Sequence, residues 1–145
     1  MKDEDLTGTI QKVVRNVFES MYYMFPETTE IQDRRRVPES CFRASVGAEN
    51  SSLKVVLYGS EKLVKEMATA LLGSDRPIEE NECIDIFREA TNLIGGNLVN
   101  AMDLDKSIGL GVPEVQFVNT VKELDTEPGA VFDIDGEFFK AAVLN

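Results

Sequence analysis

The sequence predicts an α+β protein, on three observations. Apolar residues recur at 3- and 4-residue intervals in three separate stretches, which is the period of an amphipathic helix. Short runs rich in Val, Phe and Ile flank them and read as strands. These runs cluster as a pair before the second helix and as three after the last, so strands meet in hairpins instead of alternating singly with helices. At 145 residues the chain is expected to fold as one domain spanning 1–145, large enough to bury a core without disulfides or metals.

In chain order, Ile10, Val13, Val14, Val17, Met21, Met24 and Phe25 place a helix over about residues 6 to 24, which Pro26 ends. A polar loop follows. Ser40 to Val46 and Leu53 to Tyr58, separated by GAENSS, read as a hairpin. Ser60 is a suitable N-cap for a helix that turns Leu63, Val64, Met67, Leu71 and Leu72 inward and closes at Gly73. After the loop Ser74 to Pro77 comes the longest helix, over about 79–102. Val112 to Val118, Ala130 to Ile134 and Glu137 to Val143 complete the strands, the last two joined at Asp135-Gly136, a dipeptide favoured in tight turns. Asp133-x-Asp135-Gly136 also carries a fragment of a calcium-loop pattern, but the rest is missing and the hairpin turn accounts for it.

Composition excludes several functions. No histidine is present, which rules out Ser-His and Cys-His nucleophile pairs and argues against a zinc site. Cys41 and Cys83 lack metal-ligand spacing and fit reduced thiols in the cytoplasm. The net charge of −11 opposes nucleic-acid binding. Its one basic cluster, Arg34 to Arg36, reads as a solvated loop. There is no membrane-length apolar run and no signal-peptide order at the start.

The chemistry gathers in the long helix, in DIFREATNLIGGN from Asp85 to Asn97. At roughly 100° per residue, Asp85, Glu89 and Asn92 stand at i, i+4 and i+7 and share one face. Gly96 continues that stripe and would let another surface approach the Asn92 amide. The opposite face is expected to carry Ile84, Phe87, Ala90 or Thr91, Ile94, Leu98 and Ala101 as an anchoring band. Two glycines inside a helix cost on the order of 1 kcal/mol each relative to Ala, so something should require them. Close packing of the central helices is one reason for Gly95, and approach of a partner is one for Gly96. Asn97 and Asn100 read as surface or helix-contact residues.

The spacing Asp85-x3-Glu89-x2-Asn92, followed by Leu93-Ile94-Gly95-Gly96-Asn97, resembles the signature of the CheC/CheX/FliY family of phosphatases, which dephosphorylate CheY-type response regulators. Ile108 to Val115 resembles the family's approach to its later strands, so the likeness covers nearly the whole chain. It implies a CheX-like fold, with helices packed on one face of an antiparallel sheet. Family members with two active copies carry the motif on the first helix as well. Here Glu19 is followed three residues later by Tyr22 and preceded four residues earlier by Arg15, so one copy remains and the CheX branch is favoured.

By this resemblance Asn92 orients the attacking water, Glu89 pairs with the regulator's active-site lysine, and Asp85 and Gly96 support or contact the partner. Asp85 could also pair with Arg88 at i+3. No cofactor of its own is implied, since the phosphorylated regulator supplies Mg²⁺. The resemblance further implies a homodimer, and the apolar run Phe138 to Val143 would be a liability as a bare sheet edge. Two alternatives stay open: a non-catalytic adaptor that binds regulators, distinguished by lack of turnover, and a small-ligand sensor, which would need an internal pocket.

Overall fold

The structure is a computed structural model that describes residues 3–29, 38–49, 51–73, 75–102, 109–119 and 127–145. The elements follow in the order α1 (Asp3–Met21), β1 (Glu27–Thr29), β2 (Ser40–Gly47), β3 (Lys54–Gly59), α2 (Glu61–Leu72), α3 (Glu80–Ala101), β4 (Glu114–Asn119), β5 (Gly129–Ile134) and β6 (Glu137–Leu144). Among the described residues all strand pairings are antiparallel, in a six-stranded sheet of order β1-β5-β6-β3-β2-β4.

Residues alternate across this sheet, as strand geometry requires. On one side Val55 and Leu57 of β3, with Phe139 and Ala141 of β6, join apolar residues of all three helices in the main core. On the other side Val56, Tyr58, Phe138 and Ala142 gather with Cys41 in a smaller cluster. The helices therefore pack on one face of an antiparallel sheet, as expected. Glu127 closes against the opposite face: Tyr58 donates its hydroxyl to the Glu127 carboxylate at 2.8 Å, and Lys140 donates to the Glu127 carbonyl at 2.6 Å.

Several local readings hold. Ser60 accepts from the Leu63 amide at 3.1 Å as the N-cap of α2, which closes at Gly73. Ile134 pairs with Glu137 across Asp135-Gly136, whose φ values of 53° and 84° are the pair of positive angles a tight hairpin turn requires. The Asp133 carboxylate accepts from the Gly136 amide at 2.8 Å, within this turn. Cys41 and Cys83 are buried free thiols, and burial raises both, Cys41 to about 11.

Other readings are corrected. α1 ends at Met21, three residues short of expectation, because Tyr23 takes a left-handed φ of 55° and turns the chain. That turn keeps Tyr22 and Met24 inside and sends Phe25 outward, where it is 69% exposed. Leu71 and Leu72 are exposed in the last turn of α2, beyond the reach of the sheet. The strand β1 was not foreseen. β6 lies between β5 and β3, so the run Phe138 to Val143 is fully paired and is not an edge. Among the described residues the edges are β1 and β4. Arg34 to Arg36 lie outside the described residues.

Candidate active site

Helix α3 starts from a well-made N-terminus. Arg76 reaches both Glu82 carboxylate oxygens, at 2.6 and 2.7 Å, and the Glu79 amide donates to the same carboxylate at 3.1 Å. The Arg76 bond first, then the Glu79 amide, holds the Glu82 carboxyl down to about 2. From there the helix buries Cys83, Ile86, Phe87, Ala90, Thr91, Ile94, Gly95, Leu98 and Val99. Against expectation, Ile84 is only half-buried and Ala101 is exposed, because the buried face leans toward Cys83, Ile86 and Val99. Ala90 and Thr91 are both inside. The Thr91 hydroxyl stays satisfied by donating to the Phe87 carbonyl at 2.7 Å.

The opposite side of α3 presents Asp85, Glu89 and Asn92, all exposed. Asp85 is ion-paired with Arg88 at 3.0 Å, the i+3 contact foreseen above. Arg88 also donates to the Pro113 carbonyl at 3.4 Å, which ties this end of the stripe to the segment before β4. Glu89 and Asn92 make no hydrogen bond or ion pair with another described residue. Two acceptors and one amide donor group are thus available to an external molecule.

Gly95 serves close packing, as expected, but against a different part of the chain than the expected helix. A Cβ on Gly95 would stand 3.2 Å from both Leu110 and Val46, so this glycine admits β2 and the segment before β4, not a neighbouring helix. A Cβ on Gly96 would meet nothing within 4 Å. Packing within the chain therefore does not require Gly96, and its position one turn past Asn92 leaves the approach to that amide open.

Helix α1 lies beside this stripe. Asn97, Asn100 and Ala101 of α3 face Thr9, Lys12, Val13 and Asn16 of α1 across a groove of about 530 Å³. At the other end of the seam is Tyr22, whose ring packs against Phe18 at a centroid distance of 5.4 Å. Tyr22 is 2% exposed, and its hydroxyl has no hydrogen-bond partner among the described residues. A buried donor left unpaired costs about 1–3 kcal/mol. Burial first, and then the negative charge of Glu89, raise the Tyr22 phenol well above its ordinary value. In the sequence Tyr22 stands out only as the residue that breaks a second motif. Its position three residues after Glu19, matching Asn92 after Glu89, was the available signal.

The fold, a six-stranded antiparallel sheet carrying three helices on one face, is similar to that of solved chemotaxis proteins. Residues 44–134, more than half of the chain and including the whole stripe, match the family model of the chemotaxis phosphatase CheX, and the chain belongs to that family. The CheX protein of Desulfovibrio desulfuricans superposes with a TM-score of 0.70 at 15% identity, covering 97% of this chain and 98% of that one. CheX of Vibrio vulnificus gives 0.71 at 13% identity, with 99% of each chain covered. The CheX–CheY–BeF3–Mg²⁺ complex of Borrelia burgdorferi matches at a TM-score of 0.55 and 12% identity, covering 95% of this chain and 97% of that one. No curated protein sequence matches the chain significantly.

Proposed function

We propose that this protein accelerates hydrolysis of the aspartyl phosphate on a CheY-type response regulator, with Asn92 orienting the attacking water and Glu89 docking the regulator. The observation that carries this reading is the exposed, unengaged pair Glu89 and Asn92 on α3, beside an open Gly96, within the segment matched by the chemotaxis phosphatase family. The structural relative from Borrelia burgdorferi, a CheX bound to CheY, supports the choice of partner.

In the reaction, the water oxygen bonds to phosphorus as the acyl P–O bond breaks, releasing the regulator's aspartate and inorganic phosphate. Such a transfer needs little covalent help and depends on position and electrostatics. The Asn92 carbonyl accepts a hydrogen bond from the water, while its NH₂ donates to a phosphoryl oxygen. A carboxylate at this position would bring negative charge against the phosphoryl group. Glu89, one turn earlier, meets the regulator's lysine and fixes the docking register. Asp85, held by Arg88, supports that end of the contact. This chain brings no cofactor; Mg²⁺ comes with the regulator.

The test is to mix catalytic amounts of the protein with phosphorylated receiver domains and Mg²⁺ and to follow phosphate release. Many turnovers per molecule on at least one receiver are expected. Binding without turnover would replace this reading with the adaptor. The proposed place of action is the cytoplasm, and among the described residues no helix is long and apolar enough to cross a membrane. We extend the proposal to a homodimer. Its edge is β4, a six-residue strand with Phe117 exposed, since β6 is internal. Light scattering should give about twice the 16.1 kDa of one chain, and a single-chain mass at all concentrations would refute it.

A further inference from the structure

The groove between α1 and α3 plays no part in the proposed chemistry, yet it adjoins the polar stripe. Its polar lining includes Lys12 and Asn16 of α1 with Asn97 and Asn100 of α3, while Val13 and Ala101 supply its apolar part. All four polar side chains are on exposed residues, and none makes a hydrogen bond or ion pair with another described residue. Asn100 follows Gly96 at i+4, as Gly96 follows Asn92, so the stripe winds from Asn92 into the groove.

Distance puts the groove under any receiver that reaches Asn92. Asn100 is eight residues beyond Asn92 on α3, which at about 1.5 Å per residue is about 12 Å along the axis. A protein interface of standard size covers about 800 Å² of each partner, a disc of about 16 Å radius. A footprint centred on Asn92 therefore covers the groove as well. What the receiver presents there is constrained by the donors beneath it. An ammonium has donors and no acceptor, and each carboxamide adds an NH₂. Covering them with an apolar surface would leave them desolvated and unpaired, and a basic surface would set like charges together. A carboxylate supplies both the acceptors and the opposite charge. Among the described residues Lys12 is the one charged side chain that lines the groove, on a chain of net charge −11. Asp5 and Glu19 stand seven residues to either side of it, about 10 Å along α1, and do not line the groove.

We propose that this groove is a second recognition site for the phosphorylated regulator, in which Lys12 and the surrounding carboxamides take an Asp or Glu side chain that stands beside the regulator's phosphorylated aspartate. It rests on the docking proposed at Glu89 and Asn92. Two contacts of opposite sign, Glu89 with a lysine and Lys12 with a carboxylate, set the direction in which the regulator lies along α3. They also reject receivers that lack an acid at this place. Lys12 acts away from the water and the phosphoryl group, so its effect falls on recognition and not on the chemical step.

On the receiver domain that the wild type dephosphorylates fastest, Lys12→Glu should raise KM about tenfold, with kcat changed less than about twofold. Asn100→Asp puts a carboxylate into the groove without altering Lys12, and should raise KM about threefold or more. Affinity for that receiver loaded with beryllofluoride and Mg²⁺ should fall in parallel, and both melting temperatures should hold because the positions are exposed. A specific contact is separated from general repulsion by changing, one at a time, the receiver's exposed aspartates and glutamates to lysine within about 16 Å of its phosphorylated aspartate. One such change should weaken binding to the wild type and restore most of the binding lost by Lys12→Glu. Unchanged KM and affinity for Lys12→Glu, or the lack of any receiver change that restores its binding, overturns the groove while leaving the phosphatase reading intact. If the wild type binds the loaded receiver without turnover, the phosphatase reading falls and the same affinities still decide the groove. If it binds no receiver, both fall.

Discussion

Replacing Asn92 with Ala should lower kcat for regulator dephosphorylation by about 10²- to 10³-fold, the usual effect of removing a well-placed polar group that acts in the transition state. The variant should still bind a beryllofluoride-loaded receiver nearly as well as the wild type, because Glu89 and the rest of the stripe are untouched. It should also fold normally. Asn92 is exposed and makes no bond within the described residues, so the stability change should stay within about 0.5 kcal/mol. Glu89→Ala should behave differently. It removes the docking group, so affinity should fall along with turnover. The contrast separates chemistry from recognition: one variant binds and does not hydrolyse, the other does both poorly. Single-turnover rates and receiver affinities for each, with melting curves as control, decide the matter. A folded Asn92→Ala protein with near wild-type kcat would show that Asn92 does not position the water.

The stripe on α3 was legible because every residue in it is local. Helix period alone puts Asp85, Glu89 and Asn92 on one side, whatever packs behind them. The hairpin turn at Asp135-Gly136 and the Ser60 cap were legible for the same reason, since each depends on the conformational preferences of two to four adjacent residues. What failed were the inferences that depend on neighbours distant in sequence. Strand order is not written in any strand, so the apolar Phe138 to Val143 could be taken for an edge when it lies between β5 and β3. Gly95 could be assigned to helix packing because sequence shows that space is needed, but not that Val46 and Leu110 fill it. The end of α1 was misplaced because Pro26 is a strong stop signal, while the turn that ends the helix earlier uses a left-handed tyrosine, which propensity disfavours. That same turn buries Tyr22, so its place in the core could not be read from spacing. The three-residue β1, Glu-Thr-Thr with two of the three exposed, has too little alternation to register as a strand.

The largest loss of stability is expected from the other face of the site helix, at Phe87. Its side chain is fully buried, lies 6.2 Å from the Phe42 ring, and packs so closely on β3 that a Cβ at Gly59 would stand 3.1 Å from its ring. This is where α3 is pinned to the sheet, with Asn92 on the far side of the same helix. Phe87→Ala removes a large apolar group and leaves a cavity that the sheet backbone at Gly59 cannot collapse to fill. Such truncations cost about 3–5 kcal/mol, a large share of the roughly 5–15 kcal/mol that holds a typical domain folded. Denaturant unfolding should show the midpoint falling sharply with little change in slope, as expected when the native state loses stability without a change in the surface it buries. Activity should follow the folded fraction, since no group on the polar stripe is altered. A loss below about 1 kcal/mol, within the range of ordinary surface substitutions, would mean that α3 is not held to β3 through this ring, and that the platform presenting Glu89 and Asn92 is anchored elsewhere.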